Sequence, residues 1–113
     1  MAELIKKYQD LLTSLLEEFA ETYNRSAQGP AVEVLCDYQR NHFQLLRMGW
    51  YKEEYRFGVL FHFDIRNGKI WIQENRTDRS MSEELVRRGV PKTDIVIGHL
   101  NEADRALSEF AVA

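Results

Sequence analysis

The most constraining stretch of this 113-residue chain runs from Tyr55 to Asn75. Every odd position from Tyr55 through Phe57, Val59, Phe61 and Phe63 to Ile65 is apolar. The even positions are Arg56, Gly58, Leu60, His62 and Asp64. Alternation with period two is the signature of a strand with one buried face. Asn67-Gly68 follows at once, and this pair suits the two positive-φ positions of a two-residue hairpin turn. Lys69 to Asn75 then returns as the partner strand. The turn places Arg66 opposite Lys69, so Ile65 meets Ile70, Phe63 meets Ile72 and Asp64 meets Trp71.

Two further strands are predicted upstream, over Val32 to Asp37 and His42 to Tyr51. A turn pairing Trp50 with Tyr55 would bring Leu46, Met48 and Trp50 onto the face of Phe57, Val59 and Phe61, and this is the expected core face. The opposite face then carries Phe43, Leu45, Leu60 and Trp71 among Arg47, His62, Asp64 and Gln73, too apolar a set to remain fully wet. From Glu3 to Asn24, Leu4, Tyr8, Leu11, Leu12, Leu15, Leu16, Phe19 and Tyr23 recur at helical spacing. Three heptads followed by Ser26-Ala27-Gln28-Gly29-Pro30, which ends the helix, describe a helix lying on a sheet better than a coiled coil. A second helix is expected over Met81 to Arg88, capped by Ser80 with Glu83 and ended by Gly89 at C′. Ile95-Val96-Ile97 reads as a strand or buried extended segment, and Glu102 to Glu109 as a last short helix. The apolar end Phe110-Ala111-Val112-Ala113 is expected to be docked.

The fold class is therefore α+β over a single domain, 1–113. A long N-terminal helix packs on an antiparallel meander of about four strands, joined by a second short helix and a C-terminal segment. No apolar run reaches the ~18 residues of a membrane span, and one cysteine, Cys36, fits a reducing compartment. A cytoplasmic location is expected, with no membrane partner. Lys plus Arg is 15 and Asp plus Glu 18, a net charge of −3. Between Arg66 and Lys92, seven basic residues stand against four acidic. That is a weak footprint for nucleic acid.

Chemistry is sparse. His42, His62 and His99 lie far apart without metal-ligand spacing, so no metal is expected. His62 and Asp64 share a strand face at i, i+2, which suits a polar cluster with Gln73 better than a catalytic dyad, since no nucleophile is placed beside them. Cys36 reads as a small hydrophobe. No Gly-rich phosphate loop occurs. Asp64, Glu74 and Arg76 follow the order of metal-dependent nucleases, but the hairpin register sends Glu74 to the face opposite Asp64 unless a bulge intervenes. No catalytic residue and no cofactor are expected.

Several segments taken together resemble the XisI family, the fdxN-element excision controlling factors. They are His42-Phe43-Gln44-Leu45 with Gly49-Trp50; Phe57-Gly58 and the run His62 to Gln73; Gly89-Val90-Pro91-Lys92 with Asp94-Ile95-Val96-Ile97-Gly98; and Glu109 to Ala113. They occur in order along nearly the whole chain. The resemblance implies a non-enzymatic accessory role in cyanobacterial DNA rearrangement during heterocyst development, beside a recombinase and an XisH-like protein, and it supplies no catalytic residues.

Two binding modes follow. In the first, a protein partner covers the face of Phe43, Leu45, Leu60, His62, Trp71 and Gln73: a second copy forming a homodimer, or an XisH-like protein. The chain's own second helix and C-terminal segment are the alternative cover. In the second, DNA is bound directly through Arg66, Lys69, Arg76, Arg79, Arg87, Arg88 and Lys92, whose plainer reading is a solvated surface.

Overall fold

The computed structural model describes residues 1–25 and 29–113. The Ser26-Ala27-Gln28 part of the expected helix stop lies outside the described residues. The elements are α1 (Ala2–Arg25), β1 (Val32–Asp37), β2 (His42–Tyr51), β3 (Glu54–Arg66), β4 (Lys69–Asn75), α2 (Met81–Arg87), a 3-10 turn (Lys92–Asp94), β5 (Ile95–Ile97) and α3 (Glu102–Leu107). The five strands form one sheet in chain order. β1 to β4 are an antiparallel meander, and β5 adds in parallel beside β4 through Ile70 with Ile95 and Ile72 with Ile97. The α+β class holds, with a fifth strand where a strand or extended segment was expected.

Local chemistry accounts for the boundaries. The β3–β4 turn is the two-residue one, with Asn67 at φ 52° and Gly68 at φ 74°. A Cβ on Gly68 would also stand 3.0 Å from the Met1 sulfur. Gly68→Val should therefore lower stability by about 1–3 kcal/mol, from strain at positive φ plus overpacking, read as a fall in the thermal midpoint. The Ser80 side chain accepts the Glu83 N–H at 3.3 Å. At the other end of α2, Gly89 takes φ 98°, with Val90 N–H bonded to Leu85 O and Gly89 N–H to Val86 O, both at 3.0 Å. This is the Schellman closure that glycine at C′ permits. Asn101 caps α3 by accepting from Asp104 N–H at 2.8 Å.

α1 and α2 cover one sheet face. Beneath them Tyr8, Leu12, Leu15, Leu16 and Phe19 pack with Val32, Phe43, Leu45, Phe61, Phe63, Ile65, Ile70, Ile72, Met81, Leu85 and Ile95. Tyr8 donates to the Asp94 carboxylate at 2.5 Å, tying α1 to the turn before β5. Burial and the neighbouring carboxylate push its phenol pKa up.

Two bulges revise the expected faces. Trp50 does pair with Tyr55 and Leu46 with Val59, but Leu45 pairs with Phe61, leaving Leu60 as an extra residue in β3. Past that point the strands run one residue out of the expected register. Phe43 and Leu45, expected on the outer face, are fully buried in the core. Leu60, also expected outside, is partly buried against that core. Met48, Trp50 and Phe57, expected inside, are 42%, 67% and 68% exposed. The second bulge leaves Gln73 extra in β4, because His62 pairs with Glu74 but Phe63 with Ile72. Glu74 consequently shares the face of His62 and Asp64, contrary to the expected parity.

The C-terminal end is docked as expected. Ala111 forms a parallel bridge with Val96, its N–H bonds Ile95 O at 2.9 Å, and Lys69 Nζ donates to Ala113 O at 2.5 Å.

Candidate functional site

The open surface is the sheet face turned away from α1, and the two bulges give it two halves. Above the first bulge, β2 and β3 continue past their neighbours: β1 reaches only Arg47 and β4 only Phe61. The segment from Met48 to Phe57 is thus a two-stranded ribbon projecting from the sheet. It contributes to an elongated shape of 44 × 31 × 24 Å. Strand alternation places Met48, Trp50, Tyr55 and Phe57 on one side of it, with the Trp50 and Tyr55 rings in edge contact at 5.3 Å. All four are substantially exposed, and Leu35 on β1 is 57% exposed on the same sheet face. The other side of the ribbon is occupied: a Cβ on Gly29 would touch the Tyr51 ring at 3.4 Å, and one on Gly49 would meet Pro30 at 3.3 Å.

Below the bulge lies a polar cluster that the sequence reading assembled only in part. The shifted register sets His42 opposite Asp64 and Gln44 opposite His62. Asp64 is buried, yet its carboxylate has four side-chain partners. Oδ1 meets His42 Nδ1 at 2.5 Å and His62 Nε2 at 2.8 Å. Oδ2 accepts from Gln73 Nε2 at 3.1 Å and Arg66 Nη2 at 3.2 Å. His62 Nδ1 lies 2.8 Å from Gln44 Oε1. Burial alone would raise the Asp64 pKa, but the hydrogen bonds from His42, His62 and Gln73 outweigh it and hold the carboxyl below its ordinary value. Leu35, Asp37, His42, Gln44 and His62 line an open cleft over this cluster.

The sequence reading linked His62, Asp64 and Gln73 and missed His42 and Gln44, whose approach depends on the extra residue at Leu60. Among the described residues, His42, His62 and Asp64 are the one group of histidine, cysteine or acidic side chains converging closely enough to hold an ion. Glu74 shares their face but pairs with Arg76 at 3.1 Å and stands outside the group. Trp71, expected on a face covered either by a partner or by the chain itself, is half-buried under its own chain. The Arg66 and Arg105 guanidinium groups lie over its ring at 5.4 and 5.5 Å. Gly98 is close enough that a Cβ would stand 3.1 Å from Trp71 Cε3.

The basic residues of the expected nucleic-acid stretch are engaged within the chain. Arg66 binds Asp64, Arg76 binds Glu74, Arg87 and Arg88 bind Glu84, and Lys92 binds Glu109. Arg88 also reaches Glu18, Lys69 holds Ala113 O, and Arg79 lies over the Phe19 ring at 4.9 Å. They do not form one stripe of free cations. No helix among the described residues is long and apolar enough to cross a membrane.

Comparison with known proteins gives a consistent picture. The chain matches the family model described as XisI protein over residues 1–112. An XisI-like protein from Anabaena variabilis ATCC 29413 superposes with a TM-score of 0.88 at 40% identity, covering 96% of this chain and 99% of that one. The fdxN element excision controlling factor XisI from the same organism superposes with a TM-score of 0.82 at 27% identity, covering 97% and 99%. A comparison with curated proteins finds no match. A fold shared end to end with these two structures and a family match over nearly the whole chain lead to one conclusion: this chain belongs to the XisI family.

Proposed function

We propose that this chain serves in the control of DNA-element excision, the role named for its relative from Anabaena variabilis, and that it does so by binding a protein rather than by catalysis. The observation that carries this reading is the projecting ribbon. Met48, Trp50, Tyr55 and Phe57 present large apolar side chains to water side by side, and exposed aromatic and Met side chains of this kind are enriched at protein interfaces. The resemblance to the family makes an XisH-like protein the proposed occupant, and a second copy of this chain the competing one. His62 and Gln73 lie along the inner border of the same face and would supply polar contacts, while Trp71 is half-buried there with its indole N–H covered. Phe43 and Leu45 are buried and drop out of the surface.

Trp50→Ser combined with Phe57→Ser should weaken capture of a co-expressed XisH-like protein at least tenfold while leaving the fold intact, measured by titration of purified proteins. Sedimentation of the chain alone decides whether a homodimer uses the same ribbon, since the double variant would then run as a monomer where the parent does not. Equal capture by parent and variant would overturn the ribbon as the binding surface. Direct DNA binding through Arg66, Lys69, Arg76, Arg79, Arg87, Arg88 and Lys92 is the alternative, and salt-dependent retention of the chain on DNA would favour it.

A further inference from the structure

The polar cluster below the ribbon brings two imidazole rings onto one carboxylate oxygen. Gln44 lies against His62 Nδ1 at 2.8 Å, and because its amide can present either its oxygen or its NH2, it orients the ring in either tautomer. His62 Nε2 is aimed at Asp64 Oδ1 across 2.8 Å. His42 Nδ1 approaches the same oxygen from the neighbouring strand at 2.5 Å. The second carboxylate oxygen is occupied by Gln73 and Arg66, which fixes the plane of the carboxylate and leaves Oδ1 as the atom presented to both rings. Outer partners that orient a histidine ring and a carboxylate are the arrangement that tunes metal sites.

We propose that His42 Nδ1, His62 Nε2 and Asp64 Oδ1 bind a divalent transition-metal cation of the zinc class, with the remaining coordination position open to the cleft beside Leu35. Their donor types suit such an ion. All three donor atoms lie within 4.8 Å of one another. Adjacent ligands at bond lengths of about 2.1 Å stand roughly 3–3.5 Å apart, so the rings need to retreat from Oδ1 by less than about 1 Å. His42 is half-exposed at the rim, which permits that movement, while Asp64 is held at the floor. The inference does not rest on the protein-binding reading, because the ribbon residues take no part in it. The competing account is a hydrogen-bonded network of the same groups with no ion at all.

Titrating the metal-free full chain with Co²⁺ separates the two. One equivalent should bind at neutral pH with a visible ligand-field band, and Zn²⁺ should displace it. His62→Ala and His42→Ala should each abolish the band or weaken binding at least tenfold. Gln44→Leu, which touches only the outer partner, should weaken it by about 10–100-fold. Cys36→Ser should leave it unchanged. Circular dichroism establishes that each variant is folded; should His62→Ala unfold, the rim variant His42→Ala carries the same decision. A folded parent chain that binds no Co²⁺, or binding that survives His42→Ala undiminished, would overturn the site.

Discussion

Phe43→Ala is expected to lower the free energy of unfolding by about 3–5 kcal/mol, while Phe57→Ala should leave it within about 0.5 kcal/mol. Both residues are phenylalanines at strand positions facing a cross-strand neighbour, and helical or strand propensity does not distinguish them. Burial does. Phe43 is fully enclosed, with Tyr38 in edge contact at 5.5 Å, and its removal leaves a cavity bounded by the α1 side of the core. Phe57 lies on the projecting ribbon with 68% of its surface in water. Denaturant unfolding of the two variants beside the parent measures the contrast. Equal losses at the two positions would mean that the Leu60 bulge does not set the faces.

A second large effect is expected from acid. Asp64 holds its proton less tightly folded than unfolded, so it stabilises the fold above the ordinary aspartate pKa of ~3.9 and loses that contribution as pH falls through its lower folded value. Asp64→Asn should cost about 1–3 kcal/mol at neutral pH, because an amide replaces an oxygen with a donor among four partners that mostly donate. The gap between parent and variant should close as the pH drops below ~3.9 and the parent's carboxyl takes up its proton. Urea unfolding at a series of pH values gives both quantities. A gap that stays constant into strong acid would show that Asp64 titrates normally in the fold.

How far these features could be read in advance varies with their range along the chain. α1, the Asn67-Gly68 turn and the capping of α2 are local: a few neighbouring residues decide each, and the sequence reading placed all three. The core faces of β4 and of β3 beyond Phe61 followed from that turn by simple alternation. The failure lies at Leu60. A bulge is decided by which of two registers buries more across the whole sheet, so no single residue announces it. A signal nonetheless existed in β2, where apolar residues occupy odd positions at Phe43 and Leu45 and even positions at Leu46, Met48 and Trp50. One strand cannot keep both sets on one face. β2 turns Met48 and Trp50 outward, so β3 must break step for Phe61 and Phe63 to join Phe43 and Leu45 in the core, and that break also brings His42 to Asp64. The bulge at Gln73 has no comparable mark in β4, which is why Glu74 was assigned to the wrong side.

The ribbon from Met48 to Phe57 has a consequence for the energetics of opening. Beyond Arg47 and Gly58 no third strand among the described residues pairs with these two, and a two-stranded pair is marginal in water. The ribbon should therefore open many times over for each global unfolding event, and its amides should exchange with solvent by a route that denaturant scarcely accelerates. Anything that seats on its apolar side must first hold it closed, so part of the interaction energy goes into ordering those strands. Affinity for a partner and the frequency of this local opening are then two readings of one equilibrium, and a substitution in the Lys52-Glu53 turn could tune both without touching the contact surface.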